Sequence, residues 1–313
     1  VLAVFLLKVP LTRDAFKWLT TKVAEFLDMA QAGATFVFGD LAVPQNFGFI
    51  FAVEVVPTII FFSAFISILY YLGIIQILIS MIAKVMRLTM GTSGAETLSC
   101  SANIFVGMTE APLVIRPYIE AMTRSELFAV MVGGFATIAG SVLASYIAMG
   151  IPAQHLIAAS VMSAPAALVI AKLMIPETEH SATRGDAQPP EIKVGENVVD
   201  AAVRGTTDGL YLSLNVLAMV IAFISLLAVA DWILGGFDYL IDYRLLGGEA
   251  HTVAGVEEYR GIFPGSLRRI FGAVFAPLAF VMGVPWGEAP QVGHLLGIKI
   301  CANEFVAYGE LSS

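Results

Sequence analysis

From residue 48 to residue 73 the chain carries one charged side chain, Glu54. This stretch limits the possible folds more than any other feature. Its length matches the ~20 apolar residues a helix needs to cross the hydrocarbon core of a bilayer. Long apolar runs recur at 125–149, 155–175 and 209–235. In lipid the backbone must satisfy its own polar groups, so spanning segments are helices or closed barrels. The alternating ten-residue strands of a membrane barrel are absent from the sequence. The composition agrees: 58% of the 313 residues are hydrophobic and 13% are charged, against about 25% charged in soluble domains. Mean hydropathy is +0.83. The chain reads as an all-α polytopic membrane protein.

Several function classes find no support. The net charge of −8 sits mainly in two polar loops, and no basic patch suggests nucleic acid. Cys100 and Cys301 lie among apolar or small residues and read as free packing residues rather than a disulfide. An intramembrane enzyme would need a nucleophile–base pair or a metal cluster. His155, His180, His251 and His294 are scattered, with no metal-ligand spacing. A channel would share the polar breaks described below but would not need cation-coupled accumulation.

Taken in order, residues 1–9 read as the tail of a span, with no cleavable signal pattern. Over 12–30, Phe16, Leu19, Val23, Phe26 and Leu27 share one helical face, while Arg13, Asp14, Lys17, Lys22 and Glu25 fall mainly elsewhere. That pattern predicts an amphipathic helix in the membrane interface, or alternatively a cytoplasmic core helix. Together 1–47 form a scaffold segment. Residues 48–73 predict a span kinked at Pro57, with Glu54 as an interfacial anchor. Residues 74–90, with Lys84 and Arg87 late, fit a second span or a surface helix.

Residues 91–103 are small and polar, too polar to face lipid, and suit a half-helix buried in protein. A second half-length segment follows at 111–122. Between them Asn103, Thr109 and Glu110 form a polar break. Two half-spans meeting at such a break predict a re-entrant hairpin over about 91–122. An ionisable residue at that depth marks a functional site by default. In the span at 125–149, Gly133, Gly134 and Gly140 allow close neighbours, and Thr137, Ser141 and Ser145 place hydroxyls on one helical face. The span at 155–175 is closed by Pro176, so the first repeat covers 48–176. Residues 177–208 form a polar linker. The span at 209–235 ends near Asp231 and Trp232, a residue suited to the interfacial belt. Residues 236–266 read as a loop.

The second half repeats the first. Met282-Gly283-Val284-Pro285-Trp286-Gly287-Glu288 resembles Met90-Gly91-Thr92-Ser93-Gly94-Ala95-Glu96. Each follows a basic, largely apolar segment, and each precedes a small-residue half-span. Those half-spans end in Asn103, with Phe105 and Glu110 close behind, and in Asn303-Glu304-Phe305. The second repeat therefore occupies 209–313, with a second hairpin at about 286–313. The first repeat continues through two spans past its tip, so the second is expected to lack its last two helices here. Paired broken segments are the sequence mark of a transporter binding site near the midplane.

Four stretches then resemble the concentrative nucleoside transporters: Gly107-Met108-Thr109-Glu110-Ala111-Pro112-Leu113, Met122-Thr123-Arg124-Ser125-Glu126-Leu127, Gly283-Val284-Pro285-Trp286 and Asn303-Glu304-Phe305-Val306-Ala307-Tyr308. The resemblance runs from about residue 12 to 313. It implies a bacterial inner-membrane homotrimer with inverted structural repeats, two re-entrant helical hairpins, interfacial amphipathic helices and partly unwound transmembrane helices. A cation gradient would drive nucleoside import by an elevator-type movement. By the same resemblance Thr109 and Glu110 meet the nucleobase, Val142 lines its pocket, and Glu304 accepts ribose hydroxyls. Met108 matches a position that is often Gln. A thioether cannot replace the amide's donor and acceptor, so pyrimidine preference is not implied. The family's remaining ribose residues would fall beyond Ser313.

For sodium the resemblance points to Asn103, Val106, Thr137 and Ile138. Amide, hydroxyl and carbonyl oxygens suit a hard cation. Proton coupling is the alternative. Plainer readings stand beside these. Glu110 and Glu304 could be ion-pair members, with Arg116 beside Glu110. Asn103 could cap a helix, and the Thr137 hydroxyl could bond back to its own helix.

Overall fold

The computed structural model describes residues 18, 21–23, 25, 26, 29–108, 111–183, 195–253, 256–259 and 262–312. The chain divides into two compact units, 1–213 and 214–313. The expected tail at 1–9, most of the amphipathic stretch and the pair Thr109 and Glu110 fall outside the described residues. Within 12–30, the described residues 18, 21–23, 25 and 26 are helical. Lys22 Nζ lies 2.6 Å from Glu25, and the Phe26 ring packs 4.4 Å from Phe65.

In the first unit, α1 (Ala30–Phe38) leads to α2 (Phe51–Tyr71), which is long and apolar enough to cross a membrane. Pro57 lies inside α2 and removes one donor from its ladder. At the next residue, the Thr58 hydroxyl donates to the Glu54 carbonyl one turn back at 2.8 Å. Helix α3 (Ile74–Met90) has 17 residues between two left-handed glycines, Gly73 and Gly91. It buries Ile75, Ile79, Ala83 and Met86 at helical spacing, while Ile77, Met81, Val85 and Leu88 are exposed.

Helix α4 (Gly94–Ala102) buries all nine of its residues. An irregular stretch follows at 103–108, then a 3-10 helix over Ala111–Ala121. Ala95, Leu98 and Ala102 of α4, with Val106 after it, share a core with Ala111, Val114 and Ile115, so the two arms fold back on each other. Helices α5 (Arg124–Ala136) and α6 (Gly140–Ala148) occupy the run read from sequence as one span. Thr137 and Ala139 are extended, so that span is broken. Thr137 therefore does not lie on one continuous helix with positions 141 and 145, as the hydroxyl-face reading required. Helix α7 (Ala153–Met174) is a second membrane-length helix.

Helix α8 (Val198–Asp238) starts earlier than the linker reading placed it. Its polar first turns extend an apolar span, because helix propensity does not stop where hydropathy does. Within the first unit α8 meets α2 through small residues. A Cβ on Gly205 would lie 2.6 Å from the Ser63 carbonyl oxygen, and one on Gly209 would lie 2.9 Å from the Ile60 Cα.

In the second unit α8 runs into a π-helical turn, Tyr239–Leu245. The run 236–266, read as a loop, also contains an antiparallel hairpin of β1 (Ala250–Val253) and β2 (Val256–Tyr259). Buried carboxylates organise it. Asp238 accepts from the Tyr259 N–H at 2.9 Å, and Asp242 accepts from Ile262 and Phe263 at 3.0 and 2.9 Å. Apart from this hairpin the described residues are helical, turn or coil. Asp231 accepts from Leu267 N at 2.7 Å, at the start of α9 (Leu267–Val281). Helices α10 (Ala289–Cys301) and α11 (Glu304–Ser312) follow, broken at 302–303. Phe271, Ile298 and Val306 form their core.

Candidate functional site

The first site region forms where two broken elements of the first unit meet. Helix α4 ends by ordinary backbone bonds: Asn103 N–H reaches Ser99 O, and Val106 N–H reaches Ala102 O, both at 3.0 Å. The chain then leaves the helix. The Phe105 carbonyl accepts from Gly140 N–H at 3.2 Å, which joins the break after α4 to the start of α6. The Ile104 carbonyl accepts from the Ser160 hydroxyl of α7 at 3.4 Å.

Glycines make this approach feasible. A Cβ on Gly140 would sit 2.6 Å from the Phe105 oxygen and 2.9 Å from the Phe62 ring. One on Gly133 would meet Cys100 Sγ at 2.5 Å and Asn103 Nδ2 at 3.8 Å, and one on Gly134 would meet Met108 Cβ at 3.2 Å. The close packing expected of these three glycines is therefore what α5 and α6 use.

Asn103 is buried, and both its Oδ1 and its Nδ2 lack a hydrogen-bond partner among the described residues. Its backbone stands at the α4 C-cap, but its side chain caps nothing among the described residues. Leaving a buried amide unmet costs ~1–3 kcal/mol, so such a group calls for a partner such as a water, an ion or a polar ligand. Thr137 takes the plainer bond expected of it, donating its hydroxyl to Gly133 O at 2.8 Å. That bond uses the hydrogen and leaves the oxygen lone pairs available. The broken span also exposes helix ends. The last carbonyls of α5 favour a cation, and the first N–H groups of α6 favour an anionic or polar group.

The other predicted residues are less uniform. Val106 is buried and Ile138 half-buried. Val142 is half-buried in the first turn of α6. Met108 is 56% exposed beside Gly134. Thr109 and Glu110 are outside the described residues, while Arg116, weighed as a partner for Glu110, is exposed. Glu304 opens α11 in the second unit and is partly buried. Just before it, Asn303 Oδ1 accepts from Val306 N–H at 3.0 Å. Across that tip, His294 Nε2 of α10 lies 2.7 Å from Glu310 of α11. Both cysteines are free. The described residues contain no group of three His, Cys, Asp or Glu side chains placed to hold a metal.

One polar residue near this region escaped the sequence reading. Lys172 lies inside the apolar run 155–175, and a lone cation in such a run is itself the signal that could have singled it out.

Comparison with known proteins agrees with this architecture. A family profile described as the Na+ dependent nucleoside transporter C-terminus matches residues 155–313. The corresponding N-terminal profile matches 1–41, and a nucleoside recognition profile, Gate, matches 52–153. An uncharacterized transporter of Haemophilus influenzae is 46% identical, covering 99% of this chain and 70% of its own. Sodium/nucleoside cotransporter 1 of Homo sapiens is 44% identical over 95% of this chain and 42% of its own. Among solved structures, CNTnw in an inward-facing substrate-bound state aligns with a TM-score of 0.85 at 42% identity, covering 99% of this chain and 70% of that one. A CNTnw variant in an outward-facing state aligns at 0.86 and 41%, with the same coverage. These relatives are transporters rather than enzymes, and the chain belongs to the concentrative nucleoside transporter family.

Proposed function

We propose that this protein is a sodium-coupled symporter that imports nucleosides across the bacterial inner membrane by an elevator-type movement, as a homotrimer. The observation that carries the reading is Asn103: a buried amide with no partner for oxygen or nitrogen among the described residues, beside a broken helix. Sodium is the transported ion. Its ligands would be the Asn103 Oδ1, the Thr137 hydroxyl oxygen and the carbonyls of Val106 and Ile138. All are hard oxygen donors. The Asn103 Nδ2 then needs an acceptor, which a water or the nucleoside supplies.

Met108, Thr109, Glu110 and Val142 would face the base, and Glu304 the ribose hydroxyls. Names and states of the relatives support this reading. The mammalian proteins are sodium/nucleoside cotransporters, and CNTnw is known in inward- and outward-facing states.

The test is uptake of labelled uridine, cytidine and adenosine into vesicles, with and without a sodium gradient. Uphill accumulation that collapses when the gradient is dissipated is expected. Downhill flux alone would indicate a channel, and accumulation driven only by a proton gradient would replace sodium. Glu304→Gln should cut uptake strongly, by roughly 5- to 150-fold for one lost hydrogen bond of ~1–3 kcal/mol, with the folded protein intact. Unchanged uptake would remove Glu304 from the site.

A further inference from the structure

The far end of α4 from Asn103 is held by a buried polar network that the transport reading does not use. Glu96, in the first turn of α4, is 1% exposed. Its Oε1 accepts from Ser93 N–H at 2.8 Å, capping the helix. Its Oε2 lies 2.7 Å from Lys172 Nζ of α7. Lys172 also donates to Ser125 Oγ of α5 at 2.9 Å and lies 3.5 Å from Glu177. Ser125 in turn donates to the Ile175 carbonyl at 2.7 Å.

The network closes on itself. Thr123, the N-cap of α5, donates its hydroxyl to Glu177 at 2.6 Å and its N–H to Glu126 at 2.8 Å. Glu126 is fully buried and accepts from the hydroxyls of Ser181 and Thr183. The Thr183 carbonyl then accepts from Gly94 N–H at 2.7 Å, back at the first residue of α4. Burial works against ionised Glu177, but Thr123, the Glu179 N–H and Lys172 outweigh it and hold the carboxyl below its ordinary range.

Helix α4 is too short to be stable alone. It is a rod whose position is set at its ends and flanks. Glu96 and Asn103 are seven residues apart, about 10 Å of helix. Among the described residues Lys172 is the one cation in this network, and it bonds α4, α5 and the segment after α7 at once. We propose that Lys172 is a positioning residue for the sodium site: it fixes where α4 sits against α5, and so where Asn103 and Val106 sit against Thr137 and Ile138. The claim rests on the sodium-site reading above, but its geometric half can be tested without it.

Two measurements on the whole protein in lipid do so. Lys172→Met should speed amide hydrogen exchange across residues 98–106. It should also raise the sodium concentration for half-maximal uptake by about tenfold, ~1.4 kcal/mol, while half-saturation by nucleoside at saturating sodium moves by less than about twofold. Lys172→Arg keeps the charge and should restore both. Lys172→Met alone strands Glu96, so Glu96→Gln combined with Lys172→Met provides a variant without that buried charge. It should fold and keep the fast exchange. A folded Lys172→Met protein with unchanged exchange and sodium dependence would overturn the proposal. So would equal shifts for sodium and nucleoside, which would mean general destabilisation. If the unaltered protein ignores sodium, the sodium-site reading falls. Exchange at 98–106 then decides the positioning claim by itself.

Discussion

The two broken tips share a sequence pattern but are held in different ways. Each begins after a helix closed by a left-handed glycine, Gly91 at φ 69° and Gly283 at φ 100°. Each then runs through a small-residue helix to an asparagine. In the first unit that helix, α4, is wholly buried and fixed by an ion pair and a polar network. In the second unit α10 lies on α9 through glycines. A Cβ on Gly293 would come within 2.8 Å of Ala276 N, and one on Gly297 within 2.3 Å of the Phe271 ring. The asparagines differ as well. Asn303 spends its oxygen on the Val306 N–H at the start of α11, whereas Asn103 spends neither polar atom on the described residues. One residue type at matching places thus yields a helix cap in one tip and, in the other, a buried amide without a partner among the described residues.

Substitution should separate these roles. The largest effect is expected from Asn103→Ala. Losing the side-chain oxygen should raise the sodium requirement at least tenfold, ~1.4 kcal/mol or more. The same change removes an unmet buried amide, so the thermal midpoint should hold or rise. A fall in both uptake and midpoint would show that Asn103 is a structural residue like its counterpart. Gly297→Ala comes next. The Phe271 ring must shift to admit the methyl, at a cost of about 1–3 kcal/mol, read as a lower unfolding midpoint. Gly235→Ala is its control, since nothing among the described residues lies within 4 Å of that Cβ. In a helix the control should be neutral or stabilising by ~0.5–1 kcal/mol. Asn303→Ala should cost ~1 kcal/mol as a lost cap, the reverse of Asn103→Ala in its balance of stability and uptake.

What could be read beforehand follows from what the bilayer forces into sequence. Apolar runs must be long, so α2 and α7 were plain. Polar residues in them must be useful, so both tips stood out around Asn103 and Asn303. The break at 137–139 left no mark in hydropathy, since Ala-Thr-Ile-Ala-Gly contains no proline and no charge, and partly unwound helices entered only as what the resemblance implied. The break is opened by tertiary contact, through the Gly140 bond to Phe105. The strands at 250–259 were equally hidden, being four residues each and anchored by Asp238 from a distant helix. Nor could spacing tell the two asparagines apart. Their difference depends on which N–H groups the fold brings within reach.

Met108 offers the smallest and most selective test of that difference. It lies at the first tip only, exposed, with its Cβ close to Gly134. A thioether offers a base no donor and a weak acceptor. Met108→Gln adds one of each without branching at Cβ, so the contact with Gly134 is preserved. One neutral hydrogen bond contributes ~0.5–1.5 kcal/mol, or roughly a 2- to 10-fold change in relative uptake. If the first tip reads the base and the second reads the ribose, the ratio of uridine to adenosine uptake should move by that amount. The preference for ribonucleosides over 2′-deoxynucleosides should stay fixed, because Glu304 is untouched. A change in the sugar preference instead would mean that the tips do not divide the nucleoside between them, and that Met108 acts on the closure of the whole site.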